Sequence, residues 1–218
     1  MVDWAGHARR EDERYRDGEA RLPDAEDQDA RQRQLTRMGN AAAGAGLASL
    51  MAGHTEEARA WFARAVERYR ESYELAPAGS WGRPIAILKA RILARDWSGA
   101  HADARWTLDQ GADDATSPIG RYAATLALLV LGRDDDARVL ADGLRTRDDF
   151  PAPVGGALAF IAVQDPVGYV KAIEAVLESF ETRREYLEGL PVADTVVVLQ
   201  ALAARRDMAG ELSSPLLP

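Results

Sequence analysis

The chain has 218 residues, 47% of them apolar and none cysteine, and its 27 basic against 35 acidic side chains leave a formal charge of −8. The lack of cysteine removes thiolate zinc sites, iron–sulfur clusters, disulfides and cysteine nucleophiles, and so acidic a surface repels a phosphate backbone, which argues against nucleic acid as a partner. The longest apolar runs, 122–131 and 195–204, fall well short of the ~20 residues that cross a bilayer, and the first residues pass directly into Arg9-Arg10-Glu11-Asp12-Glu13-Arg14, so the expectation is a cytoplasmic protein without a membrane role.

Taken in chain order, the predicted elements are all helices. Alanine, leucine, arginine and glutamate dominate, and no stretch alternates as a half-buried strand does. Glycine and proline divide the chain into about ten segments: 7–17, 25–52, 55–75, 84–94, 97–110, 118–131, 134–146, 154–163, 166–188 and 192–208. Residues 1–23 are charged enough to read as an extension, in which Trp4 and Tyr15 are the docking candidates. A single helical domain is expected over 24–210, and 211–218 reads as a tail. Thr55 before Glu56-Glu57 and Asp165 before Pro166 read as helix caps. The triple acid Asp134-Asp135-Asp136 fits the electropositive start of a helix better than a metal site.

One segment carries a repeat signature. Gly46 is followed by the turn Gly53-His54 and then by Ala58, Phe62 and Ala65. Small residues at 46 and 58 let two antiparallel helices approach closely, with Phe62 filling the space beyond. The pattern resembles the tetratricopeptide repeat, most closely over 39–72 and more loosely over 39–180. The recurring alanines 58, 100, 137 and 172 lie 42, 37 and 35 residues apart, against a strict repeat of about 34, and Arg70 stands where the repeat places its proline. The resemblance implies an all-α fold of stacked antiparallel hairpins in a right-handed superhelix whose concave groove holds a peptide or partner helix. It places Asn40, Lys89 and Tyr122 on the inner face, with Arg91 and Arg95 nearby. Trp106, off the apolar stripe of its helix, is either covered by the next layer or part of a partner surface. A second pattern, from Ala157-Leu158-Ala159-Phe160 through Leu190-Pro191 to Leu199-Gln200-Ala201-Leu202, resembles the C-terminal region of all-helical immunity proteins that neutralise toxins.

Reaction chemistry finds little footing in the residues. His7, His54 and His101 have no metal-ligand spacing, and 39–46 lacks the Lys-Ser/Thr pair of a phosphate loop. Glu174 and Glu178 share a helical face without the His partners of a di-metal site. The expectation is a non-enzymatic module without cofactor or metal, monomeric or homodimeric, that binds another protein or peptide. Two alternatives stand beside it: an immunity protein meeting a basic toxin with an acidic face, and a small-molecule-binding regulator, which requires an apolar pocket between helices.

Overall fold

The computed structural model describes residues 2–218, Leu187 by its backbone alone. The fold is all-α: among the described residues there are ten α-helices, two short 3-10 turns and no strand. The helices are α1 (Trp4–Arg21), α2 (Gln28–Met51), α3 (Thr55–Leu75), α4 (Gly82–Leu93), α5 (Trp97–Asp109), α6 (Pro118–Leu131), α7 (Asp134–Arg145), α8 (Ala152–Ala162), α9 (Pro166–Glu181) and α10 (Asp194–Ala204). None is long and apolar enough to cross a membrane.

Local chemistry explains where the helices begin and stop. Asp3, Asp27, Asp96, Ser117 and Asp165 each accept a hydrogen bond from a backbone N–H of the first turn that follows, which satisfies a donor the helix itself leaves open. Thr55 does not cap α3 as its sequence context suggests. The cap position falls on His54, whose side chain makes no capping bond, and Thr55 is the first helical residue. At the other end, Gly53 takes a φ of +80°. Its own N–H donates to the Leu50 carbonyl and the following His54 N–H to the Ser49 carbonyl, a pair of bonds that closes a helix through a left-handed residue.

Contacts group the chain into two compact units: residues 1–95 with 184–192 and 217–218, and residues 96–183 with 193–216. In the first unit α1 packs on α2, α2 on α3 and α3 on α4. The α2–α3 pair is close because Gly46 and Gly39 lie against the rings of Phe62 and Tyr69, where a Cβ would stand 2.7 Å from ring carbons. The charged segment at 1–23 supplies α1, which buries Tyr15 edge-on to Trp61 at 5.6 Å.

The predicted helix over 166–188 requires correction, because it stops at Glu181. Residues 184–192 instead form an irregular strap that belongs to the first unit. Glu188 is held at a φ of +54°, with its carboxylate 2.5 Å from Arg14 and accepting from Asn40 Nδ2 at 3.0 Å. Leu190 and Val192 are buried with Ala48, against Trp4, Ala8, Leu47 and Met51. These contacts outweigh the two further turns that local propensity favours, and Pro191 discourages helix at the residue before it.

In the second unit α5, α6, α7, α8 and α9 pack in succession, and α10 lies against α8 and α9. Its centre is α6, buried from Tyr122 to Val130. Asp134 starts α7 as expected, and it also binds Arg206, whose Nε donates to the carboxylate at 3.0 Å and whose Nη2 donates to the Leu129 carbonyl at 2.9 Å.

Candidate functional site

The residues expected to line a groove are distributed over both units. In the first, Asn40 sits on α2 with its amide engaged on both sides: Tyr69 Oη donates to Oδ1 at 2.8 Å, and Nδ2 donates to Glu188. Lys89 and Arg91 are half-buried on α4, and Arg95 is exposed beyond its end at a φ of +57°. In the second unit Trp106 is half-buried on α5, while Tyr122 is buried on α6 with its ring centroid 5.4 Å from that of Phe150. Asn40 therefore belongs to a polar network of the first unit. That network continues through Glu188 and Arg14 to Glu11, which is fully buried and also bonded by Arg10. Two arginines compensate the buried Glu11 charge, the arrangement that makes such burial tolerable.

A second feature of the first unit has the form of a receptor site. Where α1 begins, α2 ends and α3 begins, a cleft of about 220 Å³ is lined by Trp4, Ala5, Ala8, Arg9, Asp12, Ser49, Ala52, His54, Glu57 and Trp61. That volume, of a cleft partly open to solvent, is on the scale of a single aromatic ring. Its walls are two indoles and three alanine methyls. Trp61 is 6% exposed and fixed by Tyr15 at its edge and by the Arg64 guanidinium 4.4 Å over its ring. Trp4 packs against the cluster of Ala48, Leu190 and Val192 and stacks at a tilt on His7, 5.6 Å away.

The polar lining is unevenly satisfied. Asp12 has both oxygens bonded by Arg16, at 2.9 and 2.8 Å, and Glu57 lies 3.5 Å from His54 Nδ1. Arg9 is exposed at the rim, and among the described residues its side chain has no hydrogen bond or ion pair. Ser49 is 1% exposed, and its Oγ is the single buried side-chain oxygen or nitrogen among the described residues without a hydrogen-bond partner. Native interiors leave few such groups, and each costs about 1–3 kcal/mol. The Ser49 carbonyl is already occupied by the His54 N–H, so only the hydroxyl remains open.

The sequence signals for this site were Trp4, read as a docking residue, and His54, read as an exposed turn residue. Ser49 went unnoticed. Its signal is periodicity: the buried face of α2 runs Ala41, Ala42, Ala45 and Ala48 and then presents a hydroxyl where a methyl group is expected. Arg33 and Arg37 border a shallow depression with Arg21 and Asp24, where Arg33 pairs with Asp29 and Arg21 with Asp17. Solvated helix faces account for them. Among the described residues no group of three or more His, Asp or Glu is placed to hold a metal ion. Set against family models, curated proteins and solved structures, the chain finds no match in any of the three comparisons.

Proposed function

We propose that the chain is a non-enzymatic binding module whose first unit takes a small organic ligand into the α1–α2–α3 cleft. The observation that carries this reading is the partnerless Ser49 hydroxyl at a cleft walled by Trp4 and Trp61. Aromatic walls with convergent polar groups are features of small-molecule sites, and an unsatisfied buried hydroxyl costs stability. The groove reading is placed second because the Asn40 amide already bonds Tyr69 and Glu188 within the first unit.

A thermal-shift screen of small aromatic compounds tests the proposal. A ligand present at 100 times its Kd should stabilise the chain by about 2.7 kcal/mol, a shift of several degrees. Ala5→Trp, which adds an indole to the cleft from an exposed position in the first turn of α1, should abolish the shift. No shift with any compound, or a shift that Ala5→Trp leaves intact, would count against the cleft.

Protein recognition keeps one specific support, in the second unit. Val139 on α7 is 72% exposed and Val167 on α9 is 68% exposed, apolar side chains open to a partner. Val139→Asp should weaken partner capture if that surface is used, while leaving the cleft ligand unaffected.

A further inference from the structure

We propose that the seat holding residues 188–192 against α1 and α2 is a recognition site for a segment of a partner protein, and that the chain's own strap occupies it in cis. The partner segment carries a carboxylate followed, two and four residues later, by aliphatic side chains. The strap itself displays this chemistry. Arg14 on α1 and Asn40 on α2 hold the Glu188 carboxylate. A Cβ on Gly44, one turn beyond Asn40, would stand 2.9 Å from Leu190 Cδ1, so the missing side chain leaves room for the leucine. Leu190 and Val192 are 3% and 4% exposed, and Ala48, one turn further along α2, lies in their cluster. Positions 40, 44 and 48 share one face of α2, and that face reads the acid and then the aliphatic pair. The seat is distinct from the ligand cleft, although Trp4 and Ala8 touch both.

The strap suits this seat in its side chains and not in its backbone. Glu188 lies at φ +54° and Gly189 at φ +67°, two successive left-handed residues, of which only the glycine adopts that conformation freely. Backbone bonds stay inside the strap: Gly189 N–H donates to the Tyr186 carbonyl at 3.0 Å, and Val192 N–H to the Leu190 carbonyl at 2.8 Å. Position 188 must be an acid for its contacts with Arg14 and Asn40, yet its backbone favours glycine. A partner segment that presents its carboxylate from unstrained backbone escapes this conflict and so displaces the strap. Until it arrives, tethering keeps the strap seated through its high effective concentration. A wholly apolar segment would leave Asn40 Nδ2 without its acceptor, and a basic one would meet the Arg14 guanidinium.

Fluorescence polarisation of the full chain with a labelled peptide of residues 184–192 tests the site, while hydrogen exchange reports whether the strap is seated. In the unaltered chain the strap should be protected and the peptide should bind weakly. Glu188→Arg, which sets a second guanidinium against Arg14, should release the strap and raise peptide affinity about tenfold or more. On that variant, peptides carrying Glu188→Gln or Leu190→Asp should each bind about tenfold more weakly than the parent peptide. Adding Gly44→Ala, whose methyl group intrudes on the place of Leu190, should weaken the parent peptide about tenfold, whereas adding Ala5→Trp in the cleft should leave it unchanged. Should Glu188→Arg unfold the chain, Glu188→Gln, which keeps an acceptor for Asn40, should give about a threefold gain with the same ranking of peptides. A released strap without peptide binding, or binding indifferent to the peptide's acid and leucine, would reduce the seat to a piece of core. A strap still protected in both variants would show that the carboxylate does not hold it. Loss of binding with Ala5→Trp would move the peptide to the cleft, and a concentration-dependent dimer that excludes the peptide would make a second copy the occupant.

Discussion

Gly155 and Gly82 both sit in helices, yet a methyl group means opposite things at the two positions. A Cβ on Gly155 would stand 2.8 Å from the backbone nitrogen of Arg145 and 2.9 Å from its Cα. Those are main-chain atoms at the end of α7 and cannot rotate away. Gly155→Ala should therefore cost about 2–3 kcal/mol, overpacking outweighing the ~1 kcal/mol that alanine gains over glycine within a helix. Around Gly82, at the start of α4, nothing lies within 4 Å of an added Cβ. Gly82→Ala should add about 0.5–1 kcal/mol by restricting the unfolded chain. Urea midpoints with unchanged slopes measure both, and equal signs for the two variants would refute the account. Single residues also show what a sequence conceals. The reading of Gly46 against Phe62 was available from small-residue spacing, and the structure places the ring on that glycine. Ser49 looked ordinary, because a missing hydrogen bond depends on neighbours that only the folded chain supplies.

At the scale of elements, helix existence was legible from composition and punctuation. A helix start was legible where the cap residue was read as one, as at Asp165, and not at Asp27, which the predicted helix over 25–52 runs through. What local pattern does not carry is long-range pairing. Asp134 was explained by its place at the start of α7, but it also holds Arg206, 72 positions later, whose side chain is 8% exposed. Removing the acid leaves a buried guanidinium with only the Leu129 and Leu202 carbonyls. Asp134→Ala should accordingly cost about 2–4 kcal/mol, whereas Asp136→Ala, which breaks the exposed pair with Arg133, should cost a few tenths. Chemical denaturation of the two variants checks this, and comparable losses would show that Arg206 needs no carboxylate.

The α9–α10 pairing gives a prediction about pH. Tyr169 is fully buried, donates to Gln200 Oε1 at 2.7 Å, and is pushed by burial above its ordinary value of 10.0. The folded state therefore keeps this proton at pH values where the unfolded chain loses it. The stabilisation is complete below pH 10 and declines as pH rises beyond it. Tyr169→Phe should flatten that alkaline decline while costing about 0.5–1.5 kcal/mol near neutrality. Gln200 Oε1 still receives the Gly210 N–H in that variant, so no acceptor is stranded. An alkaline limb unchanged in the phenylalanine variant would assign the decline to other groups.

For the whole molecule, the all-α class was legible because it depends on summed propensity, but the route of the chain was not. The local pattern over 166–188 continues as a helix, and only the burial of Leu190 and Val192 and the Glu188 contacts with Arg14 and Asn40 draw residues 184–192 into the first unit. That unit is thus assembled from segments about 90 positions apart, and residues 1–95 alone lack part of their core. Leu190 and Val192 contribute about 1.5–3 kcal/mol each when buried, which makes a combined loss of roughly 3–6 kcal/mol. Domains of this size hold only about 5–15 kcal/mol in total. A chain ending at Arg95 should keep its far-ultraviolet helical signal, lose near-ultraviolet tryptophan signal as Trp4 loses its support, and bind ANS. Joining residues 184–192 to Arg95 through a flexible glycine–serine linker should restore cooperative urea unfolding, since the linker costs only loop entropy that grows slowly with length. If the chain ending at Arg95 already unfolds cooperatively with native-like aromatic dichroism, the strap is dispensable to the unit. The cleft would then owe the placement of Trp4 to α1 and α2 alone.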